Sequence, residues 1–136
     1  MTPYRLKAKI DRGLALMIYA LIVASALPLL FSPGWYFVAI HVLLIILTTD
    51  MLYGTHYTIN DQYLILKGGV FYTLKIEITS VISIKPSRSI ESAPAPSFDR
   101  LEITLKPNKK RVLVSPKDKE LFIALLLERN PEIIVK

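Results

Sequence analysis

Few of the side chains able to do chemistry fall in useful groupings. There is no cysteine, which excludes a thiolate nucleophile, a disulfide framework and a cysteine-type metal site. The two histidines, His41 and His56, have no carboxylate or further histidine at metal-ligand spacing. No serine is matched with a base, and Gly68-Gly69 reads as a hairpin turn rather than a phosphate loop. The pattern predicts no enzyme, no catalytic residue, no metal and no cofactor. What remains is binding. The run from Ser87 to Arg100 sets the hydroxyls of Ser87, Ser89, Ser92 and Ser97 among Arg88, Asp99 and Arg100. Such a set can hold an acidic peptide or a phosphate, because guanidinium groups and hydroxyls give directional donors. It also has a plain structural use. Asp99 can pair with Arg88 or Arg100, and the serines can satisfy their own loop backbone. A second group is cationic: Arg5, Lys7, Lys9 and Arg12 near the start, and Lys109, Lys110 and Arg111 beside Lys106. Charge of this kind suits an anionic lipid surface, at about 1 kcal/mol per basic residue held there, or a solvated hairpin tip. The later patch is short and has no interleaved aromatics, so nucleic acid is not expected as a partner.

The elements that must position these residues differ along the chain. The composition is 52% hydrophobic and 21% charged over 136 residues, but the charge is very uneven. Residues 13–53 contain a single charged side chain, Asp50. Gly13 to Phe31 and Trp35 to Tyr53 are apolar runs of 19 residues each, roughly 28 Å as helix and close to the hydrocarbon thickness of a bilayer. Ser32-Pro33-Gly34 between them is a turn signal, so the two are expected as an antiparallel transmembrane hairpin. Trp35, Tyr36 and Phe37 sit where an interfacial aromatic belt belongs. Pro28 is expected to kink or end the first span. Ala24-Ser25-Ala26 resembles a signal-peptide cleavage site, but the apolar run continues past it.

Orientation follows from flanking charge. Four basic residues precede the first span, none lies in the turn, and thirteen follow the second. Both termini are therefore predicted on the cytoplasmic side of the membrane. His41 is expected as a neutral imidazole bonded across the hairpin to Tyr19 or Ser25, and Asp50 as an interfacial group reached by water or Arg12. The predicted organisation is a basic N-terminus over 1–12, the hairpin over 13–53 and a cytoplasmic domain over 54–136.

In that domain the hydrophobic period becomes two. Tyr57 and Ile59, then Tyr63 to Lys67, then Leu74, Ile76 and Ile78, then Ile82 and Ile84 read as strands. Leu101, Ile103 and Leu105, then Val112 and Val114, continue the series. Asn60-Asp61, Gly68-Gly69 and Pro107-Asn108 punctuate it, and residues 86–98 interrupt it. Strict alternation argues six or seven antiparallel strands with one buried face. Ser115 as N-cap and Pro116 at the first position open a helix running to about Arg129, with Leu121, Phe122, Leu125 and Leu126 on one face. Asn130-Pro131 stops it. The predicted fold is thus a transmembrane α-helical hairpin followed by an α+β domain, an antiparallel barrel or sandwich capped by a C-terminal helix.

Residues from about 55 to 131 resemble the YyaB-like bacterial PH-domain family. The likeness rests on Tyr57-x-Ile59, Leu64-x-Leu66-Lys67-x-Gly69 and the strand residues Ile82 and Ile84. It continues through Ser87-Arg88-Ser89, Ser92-Ala93-Pro94-Ala95, Ser97-x-Asp99-Arg100-Leu101-x-Ile103 and Ser115-Pro116-x-x-Lys119-x-x-Phe122. The segment from Ser87 to Leu101 is its most specific part. The resemblance implies a PH-like fold in a membrane-tethered bacterial protein, a non-catalytic binding or scaffolding module at the inner face of the cytoplasmic membrane. One branch of the family comprises bacteriocin immunity proteins, and an accessory subunit of a larger membrane complex is a further role. Expected partners are the lipid bilayer and another membrane protein or a second copy of the chain. In eukaryotic-type PH domains a basic first hairpin loop holds phosphoinositides. The corresponding loop here reads as Asn60-Asp61-Gln62, which has no cation.

Overall fold

The computed structural model describes residues 3–31, 34–88 and 96–136. The first element is a strand, β1 (Tyr4–Lys7), lying within the segment expected only as a basic N-terminus. Helix α1 (Arg12–Ser25) follows. Asp11 caps it, accepting from the backbone N–H of Gly13 and Leu14, two of the donors a helix start leaves without partners. Regular α-geometry stops at Ser25, and a 3-10 segment, Leu27–Leu30, carries Pro28. Proline supplies no N–H and crowds the preceding turn, which accounts for the change. Helix α2 (Trp35–Tyr53) has the expected bounds. Taken with the 3-10 segment, the first helix runs from Arg12 to Leu30, and this stretch and α2 are each long and apolar enough to cross a membrane. Tyr19 Oη lies 2.7 Å from Thr49 Oγ1, joining them side to side.

Six antiparallel strands follow: β2 (His56–Ile59), β3 (Tyr63–Gly68), β4 (Tyr72–Glu77), β5 (Val81–Ser87), β6 (Arg100–Leu105) and β7 (Lys110–Val114). After them come α3 (Lys119–Arg129) and a two-residue strand, β8 (Ile134–Val135), parallel to β5. They form two four-stranded sheets, ordered β1-β2-β3-β4 and β7-β6-β5-β8. The strand β1 pairs with β2 in the register Tyr4↔Ile59 to Lys7↔His56. The same stretch of chain also reaches the second sheet. Lys9 N–H donates to the Ser115 carbonyl at 2.6 Å, and Lys117 N–H donates to the Lys7 carbonyl at 2.9 Å. Residues 4–9 are therefore the seam between the sheets, and the apolar hairpin leaves and re-enters the domain between its first and second strands.

The core is built from alternate strand positions, as the period of two requires. Ile59, Leu64, Leu66, Ile84 and Ile103 are fully buried, and Leu6 and Ala8 of the seam join them. Helix α3 closes this core with Phe122, Leu125 and Leu126, and the Phe122 ring meets Tyr57 edge to face at 5.9 Å. Several expectations need correction. The helix begins at Lys119 with Asp118 as its N-cap, not at Ser115-Pro116. Ser115 is buried and its N–H donates to Tyr57 Oη at 2.9 Å, while Pro116 sits opposite Ala8 in the seam. A bulge between Val81 and Ser83 shifts the phase of β5. Ser83 is buried there and Ile82 only half-buried, the reverse of simple alternation.

Candidate functional site

The register of the strands divides the domain into two ends. At one end Leu101 lies opposite Val114, next to Ser115 and hence to Lys9. There Asp11 N–H also donates to the Pro96 carbonyl at 3.0 Å. This end carries the helical hairpin. At the other end are the β6–β7 turn and Asn60, whose carbonyl accepts from Arg129 Nε at 2.8 Å. Five residues of strand, on the order of 17 Å, separate the two along β6.

The helix-bearing end gathers residues that are far apart in sequence. Asp99 lies between Lys9 and Lys119. Its Oδ2 accepts from Lys9 Nζ at 2.9 Å, and its Oδ1 accepts from Lys119 Nζ. The hydrogen bonds from Lys119 and then Lys9 hold the Asp99 carboxyl below the usual carboxylate range, because they favour its charged form. The partners of Asp99 are thus lysines from the seam and from α3, not Arg88 or Arg100 as the sequence suggested. An open groove of about 880 Å³ lies beside this pair and is lined by Arg5, Lys7, Lys9, Lys117, Lys119 and Asp99, among others. Arg12 is exposed where α1 starts. The first cationic group from the sequence therefore collects at the hairpin end. Lys109 and Lys110 are exposed at the opposite end. Arg111 Nη1 is 4.0 Å from Glu102 Oε2, and Lys85 Nζ is 3.6 Å from Glu102 Oε1.

The serine- and arginine-rich run is only partly described, since Ser89 and Ser92 lie outside the described residues. Ser87 ends β5 half-buried and Arg88 is exposed. Ser97 is buried, and its Oγ accepts from Asp99 N–H at 3.1 Å. Arg100 is also buried; its Nε donates to the Ser97 carbonyl at 2.8 Å, and its guanidinium lies 5.8 Å from the centre of the Phe98 ring. Ser97 and Arg100 thus shape the turn that brings Asp99 to its lysines.

Two polar groups near the helices have definite partners. His41 Nδ1 lies 2.8 Å from the Phe37 carbonyl and its Nε2 lies 3.1 Å from Ser25 Oγ. A carbonyl only accepts, so Nδ1 carries a proton. Asp50 is not reached by Arg12. Its Oδ2 accepts from the backbone N–H of Val70, in the β3–β4 turn, at 2.7 Å. Sequence reasoning missed this link, because nothing local to Asp50 points to a residue twenty positions on.

Comparison with known families supports the domain reading. The bacterial PH domain family matches residues 55–130. The chain belongs to that family. The match takes in β2 to β7 and α3 and begins after the hairpin, so β1 lies outside it. Comparison with curated proteins and with solved structures finds no match. Within this bacterial PH fold the first hairpin connection, β1 to β2, is occupied by the two apolar helices, and Asn60-Asp61-Gln62 is the second connection rather than the first.

Proposed function

We propose that the chain is a membrane-tethered, non-catalytic binding module. The apolar hairpin crosses a bacterial cytoplasmic membrane twice, and the PH-like domain lies on the cytoplasmic face, where it holds a second membrane protein or another copy of the chain. The observation that carries this reading is the pairing of β1 with β2 across the hairpin. Both ends of the hairpin are held to one body, so a hairpin that crosses a membrane leaves and re-enters on the same side. The charge distribution around the spans selects the cytoplasmic side, and Lys7, Lys9 and Arg12 at the helix-bearing end suit an anionic leaflet. Lys109 and Lys110 project from the far end and have no part in that contact. The faces of α1 and α2 remain exposed over most of their length, surface that lipid or a lateral partner covers.

The chain has no cysteine of its own, so single-cysteine variants report topology directly. In intact cells a membrane-impermeant thiol reagent is expected to label Ser32→Cys and to spare Asn108→Cys until the membrane is opened. Labelling of Asn108→Cys alone in intact cells contradicts the orientation.

A further inference from the structure

The β3–β4 turn exposes three apolar residues in a row. Phe71 is 84% exposed and Val70 70%, the two most exposed large hydrophobic side chains outside the helical hairpin among the described residues, and Tyr72 beside them is 43% exposed. Exposed apolar runs of this kind are unusual on soluble domains and mark contact surfaces. Turn geometry does not demand them. The left-handed position belongs to Gly69, with φ of 71°, and polar residues serve equally well at the positions after it.

The position of this turn is set by the end of α2. Val70 N–H donates to Asp50 Oδ2 at 2.7 Å. A Cβ on Gly69 would come within 2.5 Å of that same oxygen, and one on Gly54 within 3.1 Å of the Gly69 Cα. The glycines thus allow the turn to lie directly on the helix. Asp50 is three residues before the last residue of α2, Tyr53, or about 4.5 Å along the axis. The turn therefore stands level with the last turn of the apolar helix rather than beyond it. Where that last turn lies in the interfacial layer, Val70 and Phe71 lie there too, and exposed Tyr53 and Tyr72 flank them at the depth aromatic side chains favour.

We infer that the Gly69–Tyr72 turn is a third membrane contact, an apolar wedge that enters the interfacial layer of the cytoplasmic leaflet beside α2 and fixes the tilt of the PH-like domain on the bilayer. This rests on the membrane-tethered reading above. The occupant is lipid because the wedge continues the apolar surface of the helix it is bonded to, at the same level along its axis.

Bromolipid quenching of single tryptophans tests the inference. In a Trp35→Phe background, Phe71→Trp, Leu43→Trp and Asn108→Trp are each reconstituted as full-length chain into vesicles of phosphatidylcholine and phosphatidylglycerol. The vesicles carry bromine at a shallow or a deep acyl position. The expected result is loss of Phe71→Trp emission with shallow bromine, with a blue-shifted spectrum. Leu43→Trp is quenched by deep bromine and Asn108→Trp by neither. If Leu43→Trp is quenched while Phe71→Trp emits like Asn108→Trp, the wedge is overturned and the tether stands. That outcome assigns the exposed turn to a protein partner instead. If Leu43→Trp is not quenched, the tether falls and the wedge with it.

Discussion

At the scale of single residues, a few long-range hydrogen bonds hold together elements that local pattern does not connect. Tyr57 is the clearest. Its ring is fully buried against Phe122 and its hydroxyl accepts from Ser115 N–H, joining β2 to the strand-to-helix junction. Burial pushes the Tyr57 hydroxyl pKa up, so this group stays neutral and available as an acceptor. Tyr57→Phe keeps the packing and leaves a buried backbone donor without its partner. Such an orphaned group costs about 1–3 kcal/mol, so denaturant unfolding of the protein in detergent is expected to show a free energy of unfolding lower by that amount, read as a lower midpoint with no change in slope. An unchanged midpoint would mean that Ser115 N–H finds another acceptor. Asp50 acts similarly from within a helix, and Asp99 joins the seam to α3. Neither role follows from the residues on either side of them.

At the scale of elements, what was legible in the sequence depended on whether the signal was local. The alternation of Leu64 and Leu66, or of Leu101, Ile103 and Leu105, identifies strands because each has one face in the core over several positions. The bounds of helix α2 were readable to the residue because Trp35 follows a glycine and Gly54 follows Tyr53. The strand β1 was not readable. It has four residues and only Leu6 among them is buried, so it offers no period, and its partner lies beyond an apolar hairpin. The start of α3 was misplaced for a related reason. Ser115-Pro116 is a good local helix opening, but tertiary contacts to Tyr57 and Ala8 claim both residues, and Asp118 caps the helix instead. The candidate site followed the same rule: the basic N-terminal residues and Asp99 were visible singly, while their convergence required the seam. The seam makes a strong prediction. Because Lys7 and His56 are paired neighbours, a short glycine-containing turn can replace the whole hairpin. A chain of residues 3–8 joined by such a turn to residues 55–136 is expected to be soluble and to melt cooperatively. Residues 55–136 alone leave the edge of β2 unpaired and the core short of Leu6 and Ala8. They are expected to melt at lower temperature or to aggregate, as unpaired edges do. Equal melting of the two proteins in calorimetry would mean that β1 adds nothing.

At the scale of the whole molecule, the hairpin is an insertion rather than an appendage. A tether joined at one end lets a domain swing. A hairpin joined at two adjacent strands, with Asp50 bonded to a third connection, fixes which end of the domain carries the apolar helices and sends the β6–β7 turn away from them. The two basic groups seen in the sequence therefore have different surroundings, and only the one at the seam faces the helices. All of this depends on β1 pairing with β2 across the hairpin. Arg5 and Thr58 are directly opposed in that pair and lie on its outer face. Opposed residues of antiparallel strands have Cα atoms about 4.5–5.5 Å apart, within the span a disulfide accepts. The most direct measurement is mild oxidation of full-length Arg5→Cys/Thr58→Cys in membranes, followed by peptide mapping, with Thr58→Cys/Ile65→Cys across β2 and β3 as the reference pair. An intramolecular disulfide between positions 5 and 58 is expected to form as readily as the reference. Free thiols at 5 and 58 beside an oxidised reference pair, or a disulfide only between two molecules, would contradict the pairing of β1 with β2.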